Sequence, residues 1–336
     1  MRLDYHFQSL YKSIFGERGS LHVSGLTQRL ASSLSPGKLQ LLAQAFAAHR
    51  PISPWPGWKC DAVADANHPL TIFRQEIVAL ARANQWDFYI TYCFQPGVKV
   101  RIRLTETVGR NLFVSGCKEP NEFAYINKLL KPGMAFLDLG ANIGLYTVWA
   151  ARRVGKNGAV IAVEPSTREF TRLVENVRLN RLSNVYLVNA AASNTRRTAE
   201  LHISDENEPG QNTLGGFIYQ GVQEVGIEHV SLDTVDDILQ NLHIKHIDIV
   251  KMDIEEHEFF ALQGMSSLLR PSRPILLTEL SDETLQKQGC TSRQIFDFLG
   301  SFNYKAMVFS ESTGLPVSVS QWETHMGNNV VFVPNN

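Results

Sequence analysis

The sequence predicts an α/β fold built on a mostly parallel sheet, and three observations predict it. From residue 134 onward, apolar runs of strand length alternate with helical stretches, as they do when crossover helices connect parallel strands. Residues 134–165, MAFLDLGANIGLYTVWAARRVGKNGAVIAVEP, read as strand, tight loop, helix and strand. Within that βαβ unit the glycines fall at the first turn, and an acid closes the second strand.

Ahead of this unit, residues 25–34 and 36–49 carry apolar residues at helical spacing. Ser35-Pro36 supplies an N-cap followed by proline at the first helical position. Leu39, Leu41, Leu42, Phe46 and Ala47 form the expected buried stripe of the second helix. Residues 51–69 are a loop rich in proline and tryptophan. It reads as a packed connector or, through Trp55 and Trp58, as an aromatic platform for a substrate ring. Residues 70–84 predict a helix, and 88–94 with 98–104 a hairpin turning on Gln95-Pro96-Gly97. Lys99, Arg101 and Arg103 alternate with apolar neighbours, which is one solvated face of a sheet. Residues 112–115 predict a short strand, and Glu119-Pro120 opens a helix running to Leu130.

The core then follows in order. Strands are expected at 135–139, 159–163, 184–187, 247–252 and 275–278, with 305–309 and 330–333 closing the sheet. Helices are expected at 146–153, 166–179, 233–242, 259–269 and 291–302, the last capped by Thr291. Residues 199–203 and 226–231 read as strands flanking a polar, glycine-rich stretch at 205–221, long enough to cover a site or touch a substrate. The expected division is an N-terminal helical and hairpin region, residues 1–110, and an α/β domain, residues 111–336.

Ligands of such sheets bind beyond the carboxyl ends of the strands. That rule selects Asp138, Glu164, Asn189, Asp253 and Glu279, and it discounts His243 and His246, which precede a strand. Gly140 and Gly144 let the first loop turn sharply and let a ligand approach its backbone. Glu164 is placed to accept both hydroxyls of a ribose. A nicotinamide dinucleotide requires G-x-G-x-x-G, but here Asn142 and Leu145 interrupt that pattern. The pattern present is acid-x-Gly-x-Asn-x-Gly, and the Asp138 carboxylate suits a ligand whose near end is an ammonium. S-adenosylmethionine has that end and a ribose as well.

The segment LDLGANIGLYT, the following VEP and the later IVKMDIEEHE resemble the FkbM family of S-adenosylmethionine-dependent methyltransferases. The resemblance covers about residues 112–333. It implies a Rossmann-like class I methyltransferase sandwich, with a seven-stranded, mostly parallel sheet, preceded by the N-terminal extension. It also implies that Asn189 and the small Ala190 and Ala191 border the adenine, and that the helix opened by Glu119 lies over the cofactor crevice, near Glu119 or Glu122. Ser231-Leu232-Asp233 resembles a further signature of the family.

Lys251, Asp253, Glu255 and Glu258 match the family's Lys-x-Asp-x-Glu-Gly-x-Glu pattern, while Glu256 and His257 depart from it. An alcohol acceptor needs its proton removed before it attacks a methyl group. Asp253 or His257 would serve as that base, with Glu255 beside them. A helix-capping role for these acids, and a divalent cation held by Asp253 and Glu255, are the competing roles; no diagnostic spacing supports the cation. Sugars or polyketide-like natural products are the acceptors the resemblance suggests, so the expected partner is a small molecule or glycan. Two other functions stay open: a cofactor-fold scaffold without catalysis, motivated by Glu256-His257, and an NAD-type oxidoreductase, opposed by Asn142 and Leu145.

Composition bounds the rest. The chain has 336 residues, 44% hydrophobic and 19% charged, with formal net charge −1. Nothing there gives the basic face a nucleic-acid binder needs. No apolar run is of membrane-spanning length, and the first residues lack a signal-peptide core, so a cytoplasmic location is expected. Cys60, Cys93, Cys117 and Cys290 are widely spaced, without a C-x-x-C pair, which argues against a zinc site or a disulfide framework. Oligomeric state is not legible.

Overall fold

A computed structural model describes residues 34–47, 69–215, 217, 222–255, 257–286, 289–319 and 329–335. Of the helix expected over residues 25–34 only Leu34 is described, and Trp55 and Trp58 lie outside the described residues.

The chain forms two compact units. Among the described residues, the first comprises 34–47, 69–94 and 102–118. The first elements along the chain are α1 (Pro36–Ala47), α2 (Pro69–Ala83), the hairpin strands β1 (Tyr89–Gln95) and β2 (Val98–Arg103), and α3 (Thr107–Ser115). In α1 the buried stripe is Leu39, Ala43, Phe46 and Ala47, at the spacing of one helical face. Leu41, expected in that stripe, points away from it and is 72% exposed, and Leu42 is half-buried at its margin. Arg74 is buried in this unit. It donates to the Phe46 carbonyl at 2.9 Å and lies over the rings of Phe46 and Phe113. Burial pushes its guanidinium down to about 10.

The strand expected at residues 112–115 is instead the last turn of α3. So short an apolar run fits either a strand or one buried helical turn, and its period decides nothing. Gly116 decides it, by taking a left-handed φ of 84° and returning its N–H to the Leu112 carbonyl.

The second unit holds, among the described residues, 95–101 and those from 119 on. From residue 119 it runs through α4 (Pro120–Leu129), β3 (Ala135–Leu139), α5 (Leu145–Val154), β4 (Ala159–Val163), α6 (Thr167–Leu179) and β5 (Val185–Val188). Next come β6 (Ala191–Ser193), β7 (Arg197–Ser204), a 3-10 turn at Pro209–Gln211, β8 (Glu224–Thr234) and α7 (Val235–Asn241). The chain continues through β9 (Ile249–Met252), α8 (Glu258–Gln263), α9 (Ser266–Leu269), β10 (Ile275–Glu279), α10 (Asp282–Leu285) and α11 (Ser292–Ser301). It closes with β11 (Tyr304–Phe309), β12 (Pro316–Val319) and β13 (Asn329–Pro334).

The main sheet has the order β12-β11-β13-β10-β9-β3-β4-β5. Its strands β5, β4, β3, β9 and β10 are parallel, and β13, β11 and β12 join antiparallel. Seven of these strands are those expected from the sequence, and β12 adds an eighth at the edge. Leu137 of β3 stands in register with Ile161 of β4 and Val250 of β9, all fully buried. Near-continuous apolar strands of this kind need cover on both faces, which the helices give. A second, small sheet has the order β6-β8-β7.

Packing also sets the remaining boundaries. The helix expected over 259–269 is broken into α8 and α9 at Gly264. A β-carbon there would stand 1.9 Å from the Ser193 carbonyl oxygen, so only glycine permits this approach. Thr291 caps α11 in a reciprocal box with Gln294, as its sequence position predicts. On α6, Asn176 accepts the Arg101 N–H at 2.6 Å and donates to the Ile143 carbonyl at 2.8 Å, while Asn180 accepts the Lys99 N–H at 2.8 Å. Two side-chain amides thus satisfy backbone N–H groups of β2. Cys93, Cys117 and Cys290 form no disulfide. Among the described residues no helix is long and apolar enough to cross a membrane.

Candidate functional site

The site is assembled where β3, β4 and β9 end. Gly140 and Ala141 both donate their N–H groups to the Val163 carbonyl at 3.0 Å, and Asn142 donates its own to Glu164 Oε2 at 2.8 Å. Three consecutive amides of the first loop are therefore turned toward the end of β4. Asn142 takes a left-handed φ of 50°, a conformation asparagine tolerates, and its Oδ1 accepts the Ile143 N–H at 2.7 Å. That local bond explains asparagine where a dinucleotide fingerprint has glycine. Gly144 is also left-handed, with φ 86°, and a β-carbon on it would meet Leu173 at 2.5 Å.

Glu164 is 5% exposed. Its second oxygen, Oε1, accepts the Ser166 N–H at 2.9 Å. Burial, and then the neighbouring charge of Glu169, push its carboxyl up to about 8, against the two backbone bonds that favour the charged form. Asn189 braces the same turn, donating from Nδ2 to the carbonyls of Glu164 and Pro165, each at 2.9 Å. The adjoining Ala190 is buried.

Asp138 is fully buried. Thr147 donates to its Oδ2 at 2.5 Å, and its Oδ1 is enclosed without a hydrogen-bond partner. Burial raises its carboxyl above the ordinary range, and Lys251 and Thr147 oppose that rise. Lys251, which the strand-end rule does not select, belongs to the site. Its Nζ donates to the Gly140 carbonyl at 3.2 Å, lies 3.4 Å from Asp253 Oδ2 and sits 5.5 Å over the Tyr146 ring. Tyr146 in turn donates to Glu119 Oε2 at 2.9 Å. A lysine inside the otherwise apolar strand IVKM is the available signal, because a buried parallel strand excludes an ammonium unless it is paired.

Asp253 follows β9 directly, and its backbone N–H donates to the Leu139 carbonyl at 3.2 Å. Glu255 is half-buried with a left-handed φ of 50°, and Glu258 returns from α8 to accept the Ile254 N–H at 3.1 Å. Glu256 lies outside the described residues. Glu279 ends β10 in register with Asn329. His243 and His246 are both exposed, the latter within 3.1 Å of Asp248.

His257 stands apart from this cluster. It is 6% exposed, shares a 3.0 Å hydrogen bond between Nε2 and the Ser193 hydroxyl, and stacks on Phe260. Burial, and then Arg197, lower its imidazole to about 4. It lines a cleft against the small sheet, which none of Asp138, Gly140, Asn142, Glu164 and Asp253 lines. From the glycine-rich stretch, the Pro209 carbonyl accepts the Asn142 side-chain N–H at 3.4 Å, and Asn212 donates to Glu169 at 2.9 Å. Part of that stretch therefore adjoins the first loop. Among the described residues, no cluster of three or more His, Cys, Asp or Glu is arranged to hold a metal ion.

These residues fit S-adenosylmethionine. The enclosed Asp138 Oδ1 without a partner, the two left-handed glycines and a carboxylate at the end of β4 offer groups for an ammonium, a close backbone approach and a ribose. A pyrophosphate would need free loop amides, and those of Gly140, Ala141 and Asn142 are already engaged.

The family model described as methyltransferase FkbM domain matches residues 138–306. Among solved structures, the chain is similar to a methyltransferase FkbM from Methylobacillus flagellatus KT, at 15% identity and TM-score 0.36, covering 66% of this chain and 52% of that one. This chain thus spans about half the length of that protein. A SAM-dependent methyltransferase from Aquifex aeolicus matches at 14% identity and TM-score 0.35, covering 63% of this chain and 88% of that one. Aeropyrum pernix fibrillarin, solved with natively bound S-adenosyl-L-methionine, matches at 14% identity and TM-score 0.35, covering 61% of this chain and 67% of that one. No curated protein matches the chain.

Proposed function

The chain belongs to the FkbM methyltransferase family, and from that premise we propose that it transfers a methyl group from S-adenosylmethionine to a hydroxyl oxygen of a small molecule, a sugar or another natural product. The observation that carries the reading is Asp253 at the carboxyl end of β9, its backbone carbonyl packed against Gly140 and its carboxylate 3.4 Å from the Lys251 ammonium. We assign the transfer to the domain of residues 111–336 and the reaction to the cytoplasm.

When bound, S-adenosylmethionine supplies an electrophilic methyl group on a sulfonium. Glu164 accepts the ribose hydroxyls through lone pairs that its two backbone bonds leave open. The loop of Gly140, Asn142 and Gly144 gives the donor a close backbone seat, Asp138 answers its ammonium, and Asn189 with Ala190 borders the adenine. Asp253 takes the proton of the acceptor hydroxyl, and Lys251 holds that carboxylate in place. Glu255 lies two residues on and helps shape the same loop. His257 is the weaker base, because burial lowers its imidazole to about 4 and Ser193 occupies Nε2.

Isothermal titration with S-adenosylmethionine, followed by methyl transfer to a panel of hydroxylated acceptors, tests the proposal. Binding with label appearing on acceptor oxygen is expected. Tight binding without transfer to any acceptor would leave the scaffold function instead.

A further inference from the structure

A cleft of about 590 Å³ opens beside the small sheet, at the far end of the loop that begins with Asp253. Its size suits a ligand of one or two sugar rings. Its walls carry Ser193, Asn194, Arg197, Thr198, His257 and Phe260. Neither the cofactor loops nor Asp253 line it.

Two of these residues have unmet demands. Arg197 is exposed and, among the described residues, makes no side-chain hydrogen bond or ion pair, whereas its neighbour Arg196 is held by Asp233. His257 is enclosed, and its Nδ1 has no hydrogen-bond partner, while Nε2 is fixed by Ser193. Each of the other titratable groups on the described walls has a titratable neighbour. His202 lies 3.2 Å from Glu224, and Glu200 stands opposite His229 in the strand register. The guanidinium of Arg197 is the cation left over among them, and a planar fork of donors is suited to an anionic oxygen group.

We propose that this cleft binds the methyl acceptor through a carboxylate or phosphate held by Arg197, with His257 Nδ1 and the side chains of Asn194 and Thr198 meeting its neighbouring hydroxyls. The proposal rests on the methyltransferase reading for the word acceptor, but not for the binding itself. His257 follows Asp253 by four positions, a contour of about 14 Å at full extension. The cleft and Asp253 are thus joined by one short loop.

Titration of the full chain with glucuronate, glucose 6-phosphate and glucose tests it, alongside S-adenosylmethionine. One or both anions should bind at least tenfold more tightly than glucose, and the anion preferred identifies carboxylate or phosphate. Arg197→Gln, a change at an exposed side chain, should remove that preference and leave S-adenosylmethionine affinity unchanged. Equal binding of the three probes, no binding of either anion, or an unaltered preference in Arg197→Gln would overturn the proposal. Anion binding without S-adenosylmethionine binding would instead overturn the enzymatic reading and leave the cleft assignment standing.

Discussion

Gly140 and Asp253 meet backbone to backbone: a β-carbon on Gly140 would stand 1.8 Å from the Asp253 carbonyl oxygen. The loop assigned to the methyl donor and the loop assigned to the base are therefore one packed unit. Gly140 also has a left-handed φ of 72°. Gly140→Ala should cost at least about 1–2 kcal/mol from the backbone conformation alone, and more from the clash. A melting temperature lower by several degrees, together with weaker S-adenosylmethionine binding, checks this. A variant with wild-type melting and affinity would contradict the contact.

Glu164 gives a pH dependence with a definite sign. Its carboxyl is raised to about 8 from an unfolded value of 4.5, so the folded protein holds this proton more tightly than the unfolded chain. The associated stability is full below 4.5 and is lost as pH rises toward 8. Chemical denaturation across that window should show the ligand-free protein losing stability with pH, and Glu164→Gln should flatten the slope. Cofactor affinity should run the other way, rising as Glu164 ionises, because the carboxylate accepts both hydroxyls. In Glu164→Ala that affinity should fall at least about fivefold.

Lys251 should behave as one half of a pair. Its side chain is 8% exposed and that of Asp253 19%. Lys251→Met removes the ammonium beside Asp253 and should destabilise by about 3 kcal/mol. Combining it with Asp253→Asn should cost less than the two single losses added. Strict additivity in urea denaturation would show that the 3.4 Å approach carries no coupling.

Asp253 and His257 separate by assay. Asp253→Asn should bind S-adenosylmethionine normally and lose turnover by about 100-fold or more. His257 is neutral well above about 4, so turnover should show no inflection from it near neutral pH. Stopped turnover in His257→Gln at high acceptor concentration, with Asp253→Asn still active, would reassign the base.

Much of the fold is legible before any coordinates. The strands at 135–139 and 159–163 and the helix between them follow from apolar runs punctuated by glycine, and the Thr291 cap from a local pattern. Residues 112–115 read as a strand because so short an apolar run has no period. β12 gives no signal, because Pro316–Val319 is brief and its exposed Val317 and Ser318 resemble a loop. The candidate site is partly legible: Asp138, Glu164, Asn189, Asp253 and Glu279 follow from the rule that ligands sit at strand ends, and Gly140, Asn142 and Gly144 from the pattern of the first loop. Lys251 is visible as an oddity in an apolar strand, but its partners are not.

Hydrophobic period and glycine act over a few residues, so the core strands and helices, and about where each core strand ends, can be read from the chain alone. Which of those ends share a site cannot. Register between β3, β4 and β9 sets Asp253 against Gly140 and directs three loop amides to the end of β4. The close approach of Gly264 to Ser193 accompanies His257 into a separate cleft. Such meetings join residues far apart in the chain. They arise from packing, and packing has no period that a linear pattern can carry.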